Sequence, residues 1–163
     1  MSIITIDALS FIKPDWNAPS HIKAFTTTRL GGYSTPPFDA FNLGLNVSDD
    51  RLSTVKNREL LIQSLKLPEP PRWVSQTHST IVQNISEMEA TCEADATFTT
   101  ENQHVCAILT ADCLPIVLTN TDGSYVSAIH AGWRGLLNGI IENTLHTYLM
   151  PKDNILVWLA PAI

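Results

Sequence analysis

The chain has 163 residues, 44% hydrophobic and 16% charged, and 10 Lys and Arg against 16 Asp and Glu give a formal net charge of −6. That length predicts one domain over residues 1–163 with a sizeable core of its own, and a charged fraction below the usual ~25% excludes disorder for most of it. The acidic balance argues against nucleic acid or an anionic membrane as a main partner, because either favours a basic face.

The first residues, MSIITIDALSFIKPDW, carry no basic run and are interrupted by Asp7, so they do not form a signal peptide. No stretch approaches the ~20 apolar residues of a membrane helix. Residues 22–28 are expected to form a strand that ends at Gly31-Gly32. Residues 33–47, rich in Pro, Asn, Gly and aromatics, are expected to form a long ordered loop. Ser48-Asp49-Asp50 predicts a helix start with Ser48 as N-cap. Leu52, Val55, Ile62 and Leu65 continue that helix at helical spacing until Pro68, Pro70 and Pro71 stop it. One or two short strands are expected over 73–85, around His78, and a polar, acidic surface loop over 86–103. Apolar runs at 104–110, 114–118, 125–130 and 155–159 read as strands. Leu137, Ile141, Thr144, Leu145 and Tyr148 mark a helix over about 135–149. The sum is an α+β protein with mixed or antiparallel sheets and flanking helices.

Asp122-Gly123 stands between two apolar runs, a strong hairpin signal. With those two residues as the loop, paired positions sum to about 245 and His130 faces Pro115. Cys113, two residues away along the strand, then shares a face with His130; a slip of one residue would separate them. A thiol and an imidazole on one face suit a nucleophile activated by a base or a soft-to-borderline metal. The bland alternative is a buried free Cys beside a hydrogen-bonded core His. Gly132-Trp133-Arg134-Gly135 follows at a strand-to-helix turn, where backbone N–H groups and Arg134 could receive an anion. Three cysteines, Cys92, Cys106 and Cys113, leave at least one thiol free in a monomer, and free thiols suit a reducing cytoplasm.

Several segments together resemble the bacterial laccase-domain (multicopper polyphenol oxidase) family, whose members are described as zinc-dependent purine nucleoside phosphorylases. They are TTTRLGGYS at 26–34, NLGLNV at 42–47, VKNRELL at 55–61, WVSQTHS at 73–79 and ADAT at 94–97. LTADCLPI at 109–116, AIHAGWRG at 128–135 and APAI at 160–163 complete the series, in the family's order. The resemblance implies the laccase-domain, cysteine-hydrolase-like fold. It also implies a His78/Cys113/His130 metal site, with an open fourth position of the kind a catalytic zinc keeps. His78 enters only through this resemblance. His21, His104 and His146 match no motif, and Cys92 reads as incidental.

The implied reaction is phosphorolysis of adenosine, inosine, guanosine or methylthioadenosine, with inorganic phosphate as co-substrate and adenosine deamination as a further activity. Such chemistry needs an anion clamp and a proton source. Arg29, Arg58 and Arg134 are the candidate phosphate and substrate contacts, and Asn42 a candidate ribose or base contact. For each Arg the plain alternative is a structural ion pair. Competing readings are a copper-dependent polyphenol oxidase, a cysteine hydrolase of peptidoglycan precursors with Cys113 as nucleophile, and an inactive metal-binding fragment. Five His without an HxH pair cannot supply a multicopper cluster, although one copper at the same site would bind well. The apolar run at 155–159 followed directly by APAI is where relatives continue. The expectation is therefore a truncated or cleaved chain, or one completed by a second polypeptide.

Overall fold

The computed structural model describes residues 1–149 and 152–163. The chain divides into two units: Met1–Asp15 with Ala24–Pro70, and Trp16–Lys23 with Pro71–Ile163.

The first unit carries a three-stranded antiparallel sheet, β1 (Ser2–Ile6), β2 (Leu9–Lys13) and β3 (Thr26–Thr27), and one helix, α1 (Arg51–Leu65). Asp7 and Ala8 join β1 to β2 with φ of 48° and 67°. Both central residues of this turn are thus left-handed, which matches the twist of the flanking strands. The hairpin escaped the sequence reading because neither residue is Gly or Asn. Alternation in β2 buries Leu9 and Phe11 completely, and the Phe11 and Phe25 rings meet edge to face at 6.0 Å. The strand expected over 22–28 shrinks to Thr26–Thr27. Residues 33–47 form neither helix nor strand, as expected.

The start and the buried face of α1 both differ from expectation. Asp50, not Ser48, is the N-cap, its side chain accepting from Ser53 N at 2.9 Å. Leu52 is 70% exposed and Val55 36%, while Thr54, Asn57, Leu61 and Ser64 face inward. Hydrogen bonding to the loop decides this face. Asn57 donates to Ser34 Oγ (3.0 Å), Ala40 O (3.2 Å) and Asn42 O (2.8 Å) and accepts from Tyr33 N (2.8 Å). A loop with so few ladder partners needs such side chains to satisfy its backbone.

The second unit is a five-stranded sheet in the order β4-β5-β7-β6-β8. Its strands are β4 (Val82–Asn84), β5 (Ala96–Thr99), β6 (Leu114–Asn120), β7 (Val126–Ala131) and β8 (Ile155–Leu159). Among these strands β4 and β5 pair parallel and the other neighbours antiparallel. The β6–β7 register is the expected one, with Pro115 opposite His130, and Gly123 turns the chain at φ 72°. Residues 155–159 form β8 as read from the sequence.

Three expectations fail in this unit. Residues 86–103 are not all surface loop. They contain β5, a central strand that hides its polar Thr97 and Thr99 and so lacks an apolar signal. Residues 104–110 form no strand; at Leu109 the Gln76 side chain supplies both backbone partners, each at 2.7 Å. The helix over 135–149 is two helices, α2 (Trp133–Asn138) and α3 (Ile140–Thr147), parted by Gly139 at φ 95°. That residue resets the helical phase, so Leu137 points outward at 76% exposure while Ile140 and Thr144 are buried. The core gathers Ala96, Ile116, Leu118, Ile129 and Ile140 around the Tyr125 and Tyr148 rings. Complete burial of an Ile such as Ile129 contributes roughly 1.5–3 kcal/mol.

Candidate metal centre

Cys113 immediately precedes β6 and His130 lies one residue from the end of β7, so the hairpin register brings them together at the open end of the β6–β7 hairpin. His78 arrives from a loop. Upstream of it Ser75 pairs parallel with Glu93, and downstream Val82 pairs with Ala96. The chain takes seven residue steps between those contacts while its partner takes three, so the surplus must bulge out. Within that bulge His78 has φ 62°, a left-handed conformation that costs a non-Gly residue roughly 1–2 kcal/mol. Of the one or two short strands expected over 73–85, β4 forms at Val82–Asn84 and Ser75 makes a single bridge; His78 itself lies between them, outside any strand.

The bulge is held from below by Asp95, which is fully buried. Its carboxylate accepts from Thr77 N (3.1 Å), His78 N (3.1 Å), Ser79 N (2.6 Å) and Ser79 Oγ (2.8 Å). His130 Nδ1 lies 2.8 Å from Asp95 Oδ1, and His130 N donates to Asp95 O at 2.7 Å. Burial works to raise the Asp95 pKa, but the bonds from His130, Ser79 and Thr77 outweigh it and hold the carboxyl below its ordinary value.

The donor atoms of His78, Cys113 and His130 all lie within 4.8 Å of one another, with Cys113 Sγ 3.8 Å from His78 Nε2. The two rings meet at 4.9 Å between centroids and 70° between planes. A Cβ on Gly132 would stand 2.7 Å from His78 Cδ2 and 3.1 Å from Cys113 Sγ, so only glycine leaves room here. Burial first, and then the charge of Asp112, raises the Cys113 thiol pKa; the charge of Asp95 adds to this. A cation at this point would act in the opposite sense. Beside the thiol opens a cavity of about 290 Å³ lined by Asp112, Gly132, Trp133, Leu136 and Ile163.

The other candidate residues have separate surroundings. Arg134, at the start of α2, stacks on the exposed Trp133 ring at 4.4 Å. In the first unit Arg29 binds Asp39 through Nε to the carbonyl and through the guanidinium to the carboxylate, both at 2.8 Å. Arg58 Nε donates to Leu43 O at 2.8 Å. Asn42 donates to Gly44 O, Asp49 Oδ2 and Thr54 Oγ1 and accepts from Gly44 N. His104 lies 3.7 Å from Glu101, and His21 and His146 are exposed. Burial pushes the Cys106 thiol up to about 12, and Cys92 packs beside Val74, Met88 and Ala94. Asp95 was missed in the sequence reading, although the quoted ADAT segment contains it; a lone acid in an acidic stretch gives no sign of burial.

Fold and cluster together define an α+β protein with two open sheets and a His/Cys/His centre that could hold one metal ion. The chain belongs to the multi-copper polyphenol oxidoreductase laccase family, whose sequence profile it matches over residues 23–163. It is 45% identical to a purine nucleoside phosphorylase of Haemophilus influenzae, over 93% of this chain and 62% of the relative. It is 41% identical to the purine nucleoside phosphorylase YfiH of Escherichia coli K12, over 93% of this chain and 63% of the relative. Among solved structures, Neisseria meningitidis protein NMB0706 superposes with a TM-score of 0.89 at 39% identity, covering 94% of this chain and 63% of its own. YlmD of Geobacillus stearothermophilus gives 0.78 at 33%, covering 86% and 58%. The chain thus spans a little over three-fifths of the length of these curated relatives. Among the described residues no helix is long and apolar enough to cross a membrane.

Proposed function

We propose that this chain carries the metal centre of a zinc-dependent purine nucleoside phosphorylase acting on adenosine, inosine, guanosine or methylthioadenosine, with adenosine deamination as a second reaction. The observation that carries the reading is the convergence of the His78, Cys113 and His130 donors on one point. The names of the relatives add the substrate class. Two imidazoles and a thiolate are a donor set zinc favours, and tetrahedral bonds of 2.0–2.3 Å put ligand atoms about 3.3–3.8 Å apart. The Cys113–His78 separation of 3.8 Å agrees with that spacing, and the space opened by Gly132 lies against the same two side chains. Three residues also leave a fourth position for substrate. Bound there, zinc would supply Lewis-acid polarisation.

In phosphorolysis a phosphate oxygen bonds to C1′ as the C1′–N9 bond breaks, and the electron pair leaves with the base, which takes up a proton. The products are free purine and ribose 1-phosphate, or methylthioribose 1-phosphate when the substrate is methylthioadenosine. Within the second unit the cavity beside Cys113 supplies an apolar wall from Trp133 and Leu136. Arg134 is the anion-binding candidate there, freed for phosphate by leaving the Trp133 face. Arg29, Asn42 and Arg58 are assigned as substrate contacts on the resemblance alone, since their partners in the first unit account for them structurally. A cytoplasmic setting, with Cys113 kept reduced, is part of the same proposal.

The test is release of free base from inosine and adenosine with and without phosphate, comparing wild type with Cys113→Ala. Phosphate-dependent release by wild type alone is expected; equal release by both proteins would overturn the site assignment. Metal analysis of protein purified without added metal, with phenol oxidation measured in parallel, separates zinc from copper at the same residues. Oxidation that tracks copper while nucleosides remain intact would refute the phosphorylase reading.

A further inference from the structure

Five hydrogen bonds converge on one buried carboxylate that neither the motif reading nor the reaction above uses. We propose that Asp95 is the positioning residue of the centre, its carboxylate fixing both the loop that presents His78 and the tautomer of His130. The proposal rests on the metal-centre reading.

The two oxygens of Asp95 divide the work. Oδ2 takes Thr77 N, Ser79 N and Ser79 Oγ, and Oδ1 takes His78 N and His130 Nδ1. An ionised carboxylate can only accept, so Nδ1 of His130 must carry the ring proton. Nε2 then keeps its lone pair and is the nitrogen available to a metal. The same carboxylate satisfies three successive backbone N–H groups of the bulge, which have no ladder partner, and so holds His78 in its left-handed conformation. One side chain thereby sets two of the three donors, while the third, Cys113, is tied separately by Thr110 Oγ1 to its carbonyl at 2.6 Å. Partners of this kind, once removed, typically weaken metal binding ~10–100-fold.

Asp95→Asn keeps the shape but leaves one accepting oxygen. Three donors crowd the Oδ2 position, so the amide oxygen settles there and the NH2 group faces His130. His130 must then accept at Nδ1 and protonate Nε2, the tautomer that withholds the Nε2 lone pair from a metal. The experiment is long-range 1H–15N NMR of the His130 ring in metal-free protein above the imidazole titration range, with zinc affinity measured by competition with a chelating dye. Wild type is expected to show Nδ1–H, Asp95→Asn to show Nε2–H, and the variant to bind zinc ~10–100-fold more weakly. Nε2–H in wild type overturns the proposal and needs no variant. A folded Asp95→Asn with an unchanged tautomer and affinity within about two-fold also overturns it. If Asp95→Asn fails to fold, Ser79→Ala removes one of the five bonds and should weaken zinc several-fold; unchanged affinity would count against Asp95. Absence of zinc binding by wild type would instead refute the metal reading, leaving the tautomer result to stand by itself.

Discussion

Asp49 in the first unit and Asp95 in the second each hold an irregular segment by accepting several hydrogen bonds at once. Asp49 gathers Ser34 Oγ at 2.6 Å, Asn42 Nδ2 at 2.8 Å and Thr54 Oγ1 at 3.2 Å, and Asn57 completes the network from α1. The groups that bind Asp49 have their other partners in the same loop and in α1: Ser34 Oγ accepts from Asn57, Asn42 donates to Gly44 O and Thr54 Oγ1 donates to Asp50 O. Around Asp95 the side chains face the other way. To the carboxylate His78 gives only its backbone N–H and His130 only Nδ1, so the remaining ring nitrogens, with Cys113 Sγ, meet at one point. Dense hydrogen bonding at motif residues therefore does not distinguish scaffold from site. Lone pairs left over and convergent do.

The largest effect that would break this contrast is expected at Cys113. Cys113→Ala should abolish stoichiometric zinc, a loss beyond the ~10–100-fold that follows removal of a ligand's hydrogen-bond partner, while far-UV circular dichroism stays unchanged. Retention of one zinc per chain would show that the donors do not act together. Gly132→Ala should come next, because its methyl would press on His78 Cδ2 at 2.7 Å. Zinc affinity is expected to fall ~10–100-fold by the same reasoning, and chelator competition checks it.

In the first unit the same kind of perturbation should register as stability. Asn57→Ala strands Tyr33 N and two carbonyls and is expected to cost about 2–4 kcal/mol in urea unfolding, with metal content per folded molecule unchanged. Asp49 supplies a pH test. The hydroxyl of Ser34 first, and then the amide of Asn42, hold its carboxyl below the ordinary value. A depressed folded pKa contributes stability that is present above the unfolded value of 3.8 and is lost as pH falls through the folded one. Asp49→Asn should therefore flatten the acid limb of the thermal midpoint below about pH 4, and an unchanged limb would remove Asp49 from the network. The smallest effect is expected at Arg29. Its ion pair with Asp39 is 68% and 46% exposed, so Arg29→Ala should cost at most ~1 kcal/mol. A large loss of the proposed phosphorolysis with that small loss of stability would support the assignment of Arg29 as a substrate contact; unchanged turnover would leave it as scaffold.

How much was legible follows from where each signal resides. Asp122-Gly123 is a local turn signal, and with it the β6–β7 register and the Cys113–His130 pairing could be counted out residue by residue. β8 was legible because its run is apolar and uninterrupted. β5 was not, because Thr97 and Thr99 are buried polar groups whose neighbours exist only in the sheet. The inward face of α1 was misassigned for a related reason: Asn57 earns its burial from carbonyls of a loop that the helix pattern does not contain. Gly139 broke the last helix in a way that apolar spacing ignores.

By itself the sequence determined the α+β class, the hairpin that carries two of the three donors, and the family to which the chain belongs. Only the tertiary structure decided how His78 reaches them. Its position depends on a surplus of residues bulging over a parallel strand pair and on a buried acid that caps the bulge. Turn chemistry and strand period act between near neighbours and can be read along the chain. A carboxylate that accepts from residues sixteen and thirty-five positions away cannot, because its partners are chosen by packing.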